Sequence, residues 1–497
     1  LMKFVNGFEK ILKTIEPINL LERYGWLLST RWPKLPKKEK ENDLDQDKQI
    51  ETAQNNAARE ILDTVPLEKI IKFAKEDAEF KGEVGLILGR IVKIGNEENA
   101  VLDSLICEEL DVIQFEIVNY SRSRINCTNK DWVEKQINRL KKASISNVDV
   151  FSLLLLGLPE NMETWKRVEL YDTEIESAYW RRASGMSRSD RLSEADFAIS
   201  KLLDVNRPYQ ALQLAGDHKI ALSSKLLKRL VQSILVCDDE NEKKQHRAMF
   251  TYHLANVFRQ LHENNDLNLH ELAELEVPFA SIFDDLKRNL KSTFAIHRVL
   301  QNDPTYFAYL ISTIYFTDDG VKSNEENLTE EQLNVRAKNS ISILDTFSTL
   351  PGLKEDGSID AEELESWIES ANKKCKEIKR TKGFEYQIGK LLANSPIDDD
   401  GHWPHIAVRN VIEKISNKRI DLEILIGKRN KRGMTVRSPG DGGAQENDLS
   451  LKYAQSSDFL VEKWPKTARI IKRLSDSYQY DAKREDNEDD LRDLMYN

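Results

Sequence analysis

The sequence predicts an all-α fold: an irregular α-solenoid of antiparallel helical pairs, with one small β-hairpin near residues 422–437. Three observations support this prediction. Apolar residues make up 40% of the chain and charged residues 32%, which is typical of a globular protein. The 497 residues include only 20 glycines and 13 prolines, which are the residues that form the turns between many short strands. Apolar residues also recur at helical spacing in segment after segment.

Composition divides the chain into four segments. Residues 1–32 are predicted as an N-terminal helical segment and residues 33–48, PKLPKKEKENDLDQDK, as a charged surface loop. Residues 49–325 are predicted as a helical-repeat solenoid, and residues 326–497 as a C-terminal helical domain that carries the basic hairpin. We find no repeat with a fixed consensus, so the sequence does not support a tetratricopeptide or ankyrin array.

The clearest helical pairs lie between residues 195 and 236. In the first helix, one buried face follows the i, i+3, i+4, i+7, i+8 spacing: Ala195, Ala198, Ile199, Leu202 and Leu203. Pro208 suits the first turn of the next helix, and Ser223 or Ser224 can cap a third. Further along, Thr329 and Gln332 form a capping box ahead of another amphipathic helix. These short helices, joined by tight turns, predict stacked antiparallel pairs.

Composition also limits the location and partners of the chain. The longest apolar run, residues 306–311, is far shorter than the ~20 residues needed to cross a bilayer, and the N-terminus lacks a signal-peptide pattern. We therefore expect a cytoplasmic protein without membrane contact. Cys107, Cys127, Cys237 and Cys375 are too widely spaced for a metal knuckle, so we expect reduced thiols. A net charge of -11 argues against general coating of nucleic acid.

Residues 422–437, LEILIGKRNKRGMTVR, predict the β-hairpin because they alternate, contain β-branched residues and have a turn at residues 430–433. Its tip is basic, and the candidate binding residues are Lys428, Arg429, Lys431, Arg432 and Arg437. Such a tip could bind phosphates, a nucleotide or an acidic partner surface. The alternative is a solvated turn whose charges keep an exposed edge strand from pairing.

Asp400, His402 and His405 supply oxygen and nitrogen donors close together, so they are candidate ligands of zinc or manganese. Their spacing argues against such a site. Pro404 is expected to begin a helix, which places His402 outside it and His405 in its first turn, unlike the i, i+4 pair of HExxH. The alternative is that these residues only start the helix, since aspartates are favourable near a helix N-terminus.

A glycine-rich turn, residues 438–446, SPGDGGAQE, could present backbone N–H groups to an anion, with Asp441 as a candidate binding residue. It lacks the Lys-Ser/Thr ending of a P-loop, and Asp441 could instead cap the next helix. The sequence contains neither a GxSxG elbow nor a Cys-His signature. We therefore predict no catalytic residue and no cofactor.

Four stretches carry a resemblance: TLPGLKEDGSIDAEELESW, GHWPHIAVRNVIEKI, GKRNKRGMTVRSPGDGGAQE and KWPKTARIIKRLSDSYQYDAKREDNEDDLR. Together they resemble the C-terminal region of large, poorly characterised bacterial helical proteins. The likeness covers about residues 350–497, and it extends more loosely to the earlier helical pairs. It implies a bacterial origin, an all-helical body and membership of a mobile or antiphage defence locus, and it implies no mechanism.

These observations lead to three functional hypotheses. The first is a non-enzymatic helical scaffold or sensor that binds a protein partner along a solenoid surface. The second is a nucleic-acid-binding subunit that uses the basic hairpin and shows a steep salt dependence. The third is a metal-dependent hydrolase built on Asp400, His402, His405 and Asp441. The sequence leaves the oligomeric state open.

Overall fold

The computed structural model describes residues 16–35, 43–186, 192–216, 221–264, 266–290, 293–320, 328–433, 435–436, 438 and 441–496. These residues form α-helices and two short 3-10 helices, with a single isolated antiparallel bridge between Leu353 and Ile359. No strand is present in this part of the chain. The predicted all-α fold is therefore confirmed. None of the described helices combines the length and the apolar character needed to cross a membrane.

The helices up to residue 222 are closely spaced and range from seven to 22 residues. They are α1 Leu20–Ser29, α2 Asp43–Thr64, α3 Leu67–Glu76, α4 Glu83–Ile91, α5 Asn96–Ile106, α6 Leu110–Cys127, α7 Asp131–Lys142, α8 Val148–Leu155, α9 Met162–Val168, α10 Thr173–Trp180, α11 Leu192–Asp204 and α12 Pro208–Ala215. The predicted helix with the apolar face at residues 195–203 is α11, and Pro208 begins α12 as expected.

The remaining helices range from seven residues to the 32 residues of the last helix. They are α13 Ser224–Val236, α14 Glu240–His246, α15 Phe250–Asn264, α16 Leu269–Glu276, α17 Phe283–Asn289, α18 Ala295–Asn302, α19 Pro304–Ile314, α20 Glu330–Thr346, α21 Ala361–Glu377, α22 Thr381–Leu392, α23 Ile406–Ile415, α24 Lys418–Asn430, α25 Ala444–Leu460 and α26 Pro465–Tyr496. The 3-10 helices are Arg247–Met249 and Val277–Ile282. The capping box of Thr329 and Gln332 is present at the start of α20.

The chain forms two compact units. The first consists of Leu1–Leu222 and Val236–Ala248, and the second consists of Ser223–Leu235 and Met249–Asn497. In each unit many helices pack on the helix two places along the chain: α4 on α6 and α6 on α8 in the first, α16 on α18 and α22 on α24 in the second. This packing is common among stacked helical pairs. The division predicted between residues 325 and 326 stays a prediction.

The predicted β-hairpin is wrong, because residues 422–430 belong to helix α24. The Asn417 side chain starts this helix by accepting hydrogen bonds from the backbone N–H groups of Arg419 and Ile420, at 2.9 and 3.1 Å. Ile420 and Ile424 are then buried at i, i+4 on one helix face. Ile424, one of the β-branched residues that suggested a strand, therefore lies on the buried face of a helix. Within residues 422–433 the structure contains no strand.

Residues 43–48, which were predicted to belong to the charged loop at residues 33–48, lie in helix α2, which begins at Asp43. Acidic residues are favourable in the first turn of a helix, where they complement the positive end of the helix dipole. The run of aspartates in DLDQD, which suggested a polar loop, is therefore compatible with a helix start.

Several helices begin against a carboxylate supplied by a helix distant in sequence. Glu116 of α6 is buried and accepts hydrogen bonds from the backbone N–H groups of Gly82 and Gly85 at the start of α4, each at 2.6 Å. Glu413 of α23 likewise accepts from the N–H of Thr467 in α26 at 2.8 Å. The same arrangement joins two other pairs, Glu242 with Gln210 and Glu276 with Ile296. Asp318, in the turn after α19, accepts from the N–H of Thr381 at the start of α22 in the same way. The N–H groups at a helix start lack partners within the helix, so these carboxylates fix helices to each other.

Glycine permits the closest approach between α4 and α6. A Cβ at Gly85 would lie 2.2 Å from the carbonyl oxygen of Glu116, far inside van der Waals contact. Gly89, one turn further along α4, would place its Cβ 2.6 Å from the Cβ of Ser123. The two backbones can therefore pack this closely only because α4 has glycine at i and i+4 on the facing side.

His297 lies buried among aromatic rings in the second unit. Its ring is nearly perpendicular to those of Phe283 and Phe294, at centroid distances of 5.9 and 5.4 Å. Its Nε2 atom lies 3.1 Å from the hydroxyl oxygen of Thr346. Burial, reinforced by the positive charge of Lys287, lowers the pKa of His297 from 6.5 to about 4. The folded protein therefore holds this imidazole neutral at pH values where an exposed histidine would be charged.

We expect the stability of the second unit to fall as the pH drops from 6.5 towards 4, because the unfolded chain binds a proton at His297 before the folded chain does. Above pH 6.5 this contribution is fully present. The difference in pKa corresponds to a loss on the order of 3 kcal/mol by pH 4. Urea unfolding at several pH values measures it, with His297→Gln as a non-titrating control. Equal pH dependence in the two proteins would contradict the expectation.

Candidate functional site

The predicted metal-binding segment is organised by the buried guanidinium of Arg409. Arg409, on α23, donates to both carboxylate oxygens of Asp400, at 2.5 and 2.8 Å. It also donates to the backbone carbonyl oxygens of His402 and Pro404, each at 2.6 Å. The hydrogen bonds from Arg409 hold the pKa of Asp400 at about 2. Asp400 is thus an ionised carboxylate whose two oxygens are both bound to Arg409.

The two histidines of this segment have different partners. The Nδ1 atom of His402 lies 3.0 Å from the Ser456 hydroxyl oxygen, and its ring stacks on Phe459 at a centroid distance of 4.2 Å. His405 is the N-cap of α23, where its Nδ1 atom accepts from the N–H of Ala407 at 3.2 Å. It therefore precedes the helix instead of lying in its first turn. Nowhere in the described ranges do three or more His, Cys, Asp or Glu side chains form a group that could hold a metal ion.

The arginines of the predicted basic tip connect α24 to the last two helices. Arg429 donates to the carboxylate of Asp481 at 2.5 Å and also to the Ser477 hydroxyl. Arg432 forms an ion pair with Glu446, whose side chain is buried. Both guanidinium groups lie over the ring of Tyr478, at 5.7 and 5.6 Å from its centroid. These cations therefore have carboxylate partners within the same unit.

The lysines of the basic tip have a different environment. Lys428 places its ammonium 4.4 Å from the ring centroid of Trp403, and Lys431 donates to the carbonyl oxygen of Ala393 at 2.8 Å. Neither lysine forms an ion pair with a carboxylate in the described part of the chain. Burial, together with the charge of a neighbouring lysine, lowers the pKa of each to about 8. Among the described members of the tip, Lys428 and Lys431 are the ones without a carboxylate partner.

The two remaining candidate binding residues are Arg437 and Asp441. Arg437 lies outside the described residues. Asp441 is exposed and accepts a hydrogen bond from the N–H of Ser438 at 2.7 Å, which closes the glycine-rich turn. The N–H of Gly443 at the start of α25 donates to Asp486 at 2.7 Å. Asp486, and not Asp441, therefore supplies the carboxylate at this helix start.

A cleft that the sequence did not reveal lies between α19 and α20 in the second unit, with a volume of about 580 Å³. Helix α19 contributes Tyr306 and Tyr309, whose rings stack at a centroid distance of 5.7 Å. Helix α20 contributes Arg336, whose guanidinium carbon lies 5.0 Å from the ring centroid of Tyr309. The buried side chains of Leu310 and Ile343 form the floor. The size and the mostly apolar floor are typical of a small-molecule site.

The first unit has four exposed aromatic side chains on neighbouring segments, which we call the aromatic patch: Trp26, Trp32, Phe80 and Phe115. Their exposed fractions are 48%, 64%, 46% and 56%. The N–H of Phe80 donates to the carbonyl oxygen of Ser29 at 2.8 Å, which places Phe80 beside the end of α1. The bond from Gly82 to Glu116 places Phe115 beside the same segment. Exposed apolar groups collected in this way are typical of interaction surfaces.

Part of the cleft could have been anticipated. Tyr306 and Tyr309 are three residues apart after the Asp303-Pro304 helix start, so they share one face of α19. Gln332, Arg336, Asn339 and Ile343 similarly share one face of α20. The sequence does not say that these two faces meet, since that depends on how α19 and α20 pack.

No family model matches this chain, and neither a curated protein nor a solved structure matches it. The resemblance to large bacterial helical proteins therefore stays a prediction.

Proposed function

We propose that this chain is a non-enzymatic helical scaffold or sensor that binds a protein partner. The proposal includes the irregular solenoid arrangement of stacked helical pairs and the bacterial, antiphage-defence setting that the resemblance implies. Packing of helices on the helix two places along supports the stacked arrangement. Stacked helices hold extended surfaces in fixed positions, which suits a role in binding.

The aromatic patch is the observation that carries this proposal. Large aromatic side chains lose much of their contact with water when a partner covers them, and tryptophan is enriched among residues that dominate interface energies. Arg31 lies with its guanidinium carbon 5.0 Å from the ring centroid of Trp32, which places a positive charge beside the patch. The patch thus combines exposed aromatic rings with an adjacent cation.

We expect the double variant Trp32→Ser, Phe115→Ser to lose the partner that the wild-type chain captures from cells of the source organism. Each side chain is expected to contribute about 2 kcal/mol, or roughly 30-fold in affinity, if it lies at the centre of the interface. Leu170→Ser is the matched control, because Leu170 is 85% exposed on the same unit and lies outside the patch. Quantitative mass spectrometry of cross-linked captures measures the loss. Equal capture by all three proteins would contradict the proposal.

The nucleic-acid alternative rests on Lys428 and Lys431, since Arg429 and Arg432 have carboxylate partners. The same capture experiment therefore includes Lys428→Ala, Lys431→Ala, which leaves the arginine contacts in place. Loss of bound nucleic acid from this variant, with retention of the protein partner, would favour the alternative. A steep decrease of binding with salt would accompany it.

A further inference from the structure

We propose that Lys428, Lys431 and Lys452, which we call the lysine cluster, bind the phosphate group of a small anion, either inorganic phosphate or a phosphate monoester. Helix α24 and its C-cap contribute Lys428 and Lys431, and α25 contributes Lys452. The cluster belongs to the second unit and the aromatic patch to the first, so this inference does not depend on the proposed scaffold function.

Two of the three ammonium groups meet at the end of α22. Lys431 donates to the carbonyl oxygen of Ala393, the C-cap of that helix, at 2.8 Å. Two residues further on, the carbonyl oxygen of Ser395 accepts from the indole N–H of Trp403 at 2.9 Å. The ring of Trp403 in turn lies with its centroid 4.4 Å from the ammonium of Lys428. Lys428 and Lys431 are therefore held beside the same short segment.

The turn before α23 also contacts α25 close to Lys452. The Nδ1 atom of His402 lies 3.0 Å from the hydroxyl oxygen of Ser456, and this hydroxyl donates to the carbonyl oxygen of Lys452 at 3.0 Å. Burial, together with the charge of Lys452, lowers the pKa of Lys428 to about 8. Burial, together with the charge of Lys428, does the same for Lys431. Lys428 is therefore the central member of the cluster.

The ammonium groups have N–H donors available for a ligand. Each ammonium has three such donors. Among the described residues, no atom accepts a hydrogen bond from the ammonium of Lys428 or Lys452, and Lys431 has a single acceptor, the carbonyl oxygen of Ala393. None of the three forms an ion pair with a described carboxylate. Lys428 is half-buried and the other two are exposed, so the cluster is open to solvent.

A doubly charged oxyanion matches this arrangement. The ring of Trp403 attracts the Lys428 ammonium but has no net charge, and the carbonyl oxygen of Ala393 is likewise neutral. The repulsion between neighbouring ammonium groups is therefore not offset within the described part of the chain. A phosphate group offsets it, because its oxygens accept several charge-assisted hydrogen bonds at once.

The surroundings favour a small anion over a nucleic-acid strand. A strand needs a groove of cations that follows its backbone over several nucleotides. The arginines next to the cluster, Arg429 and Arg432, already form ion pairs with Asp481 and Glu446. The chain as a whole has a net charge of -11, which also opposes binding of a long polyanion. A single phosphate group needs only the three lysines.

Isothermal titration calorimetry of the full chain tests this inference with inorganic phosphate, glycerol phosphate and sulfate, with a single-stranded oligonucleotide as the comparison probe and chloride as the background anion. We expect a small oxyanion to bind at one site per chain with a dissociation constant below roughly 10 mM. Tighter binding of glycerol phosphate than of inorganic phosphate would identify the ligand as a phosphate monoester, and the reverse order would identify it as the free ion.

Variants then assign the binding to the lysine cluster. Lys428→Met keeps an apolar side chain against Trp403 but removes the central charge, so it should weaken binding about 10-fold or more. Lys431→Met and Lys452→Met should each weaken it by a smaller factor. Lys373→Met is the matched control and should bind like wild type, because Lys373 is an exposed lysine of α21 that lies outside the cluster.

The pH dependence of sulfate binding is a second measurement, since sulfate does not titrate in this range. A bound anion favours the charged form of Lys428 and Lys431, whose pKa in the free protein is about 8. Binding should therefore take up protons near pH 8, and the affinity should fall as the pH rises from about 7 to about 9. Lys428→Met should reduce this dependence.

Three results would overturn the inference. The first is that no small oxyanion binds with a dissociation constant below roughly 10 mM. The second is that binding persists in the double variant Lys428→Met, Lys431→Met. The third is that only the oligonucleotide binds through these lysines, with a steep salt dependence, which would assign the cluster to a strand. Melting curves verify the fold of every variant, and Lys428→Gln replaces Lys428→Met if the latter unfolds.

Discussion

Replacing Arg409 with methionine is expected to lower the free energy of unfolding of the second unit by about 3 to 5 kcal/mol. The Arg409 side chain has no exposed surface, and it binds the Asp400 carboxylate and two backbone carbonyl oxygens at once. Its guanidinium also lies over Trp464, 5.0 Å from the ring centroid. Methionine fills a similar volume but leaves these acceptors without their donor. Buried polar groups without partners are among the most destabilising defects in a protein.

Chemical denaturation of the purified variant measures this loss. Arg409→Lys is an informative second variant, because it keeps the charge but cannot reproduce the forked geometry, and we expect it to recover only part of the stability. Arg288→Met serves as the control for an exposed arginine of the same unit and should change stability by less than about 0.5 kcal/mol. An Arg409→Met protein that is as stable as this control would show that the turn at residues 395–405 does not depend on the guanidinium.

We expect a comparable loss in the first unit when Arg124 is replaced with methionine. Arg124 of α6 is buried and donates to the Glu98 carboxylate, with the shorter bond at 2.6 Å. It also donates to the carbonyl oxygens of Gly89 and Val92, at 3.2 and 3.1 Å, which lie at the end of α4. The indole N–H of Trp132 donates to the same carboxylate at 3.1 Å. Loss of Arg124 would leave the buried Glu98 carboxylate without a countercharge and two carbonyl groups without this donor, at a cost of about 3 to 5 kcal/mol.

A double-mutant cycle with Glu98→Gln distinguishes the ion pair from the helix-end contacts. If Arg124 acts mainly through Glu98, Glu98→Gln should reduce the effect of the Arg124→Met change by at least ~1 kcal/mol. If the carbonyl oxygens of α4 dominate, the two changes should be nearly additive. Arg181→Met, at an exposed position of the same unit, is the control. An Arg124→Met protein with wild-type stability would contradict both accounts.

The residue pattern was sufficient to predict the helices whose apolar spacing and caps agree. The face at residues 195–203, Pro208 at the start of α12, and the capping box of Thr329 and Gln332 are all present. These signals act within one or two turns, so local sequence contains all of their physical basis. The hairpin prediction was wrong because the signals at residues 417–430 point to different structures. Residues 422–430 contain β-branched residues that suit a strand, but the cap at Asn417 and the burial of Ile420 and Ile424 favour a helix.

Less of the candidate site than of the fold could be predicted from the sequence. The sequence shows residues 428–432 as a basic cluster, but the arginines and the lysines of this cluster have different partners in the structure. Arg429 and Arg432 bind carboxylates of α26 and α25, whereas Lys428 and Lys431 do not. Asp481 and Glu446 are 52 and 14 residues away in sequence from these arginines. No local pattern can indicate such partners, because a pairing over this distance exists only when the helices have packed.

The sequence by itself determined that this chain is helical, where many of its helices begin, and which residues are charged or aromatic. Helical periodicity and capping depend on neighbours within a few residues, so these properties are local. Only the tertiary structure decided which charges are neutralised, that carboxylates such as Glu116 and Glu413 cap distant helices, and that Tyr306, Tyr309 and Arg336 line one cleft. These features depend on contacts between helices far apart in the chain, and such contacts are a property of packing.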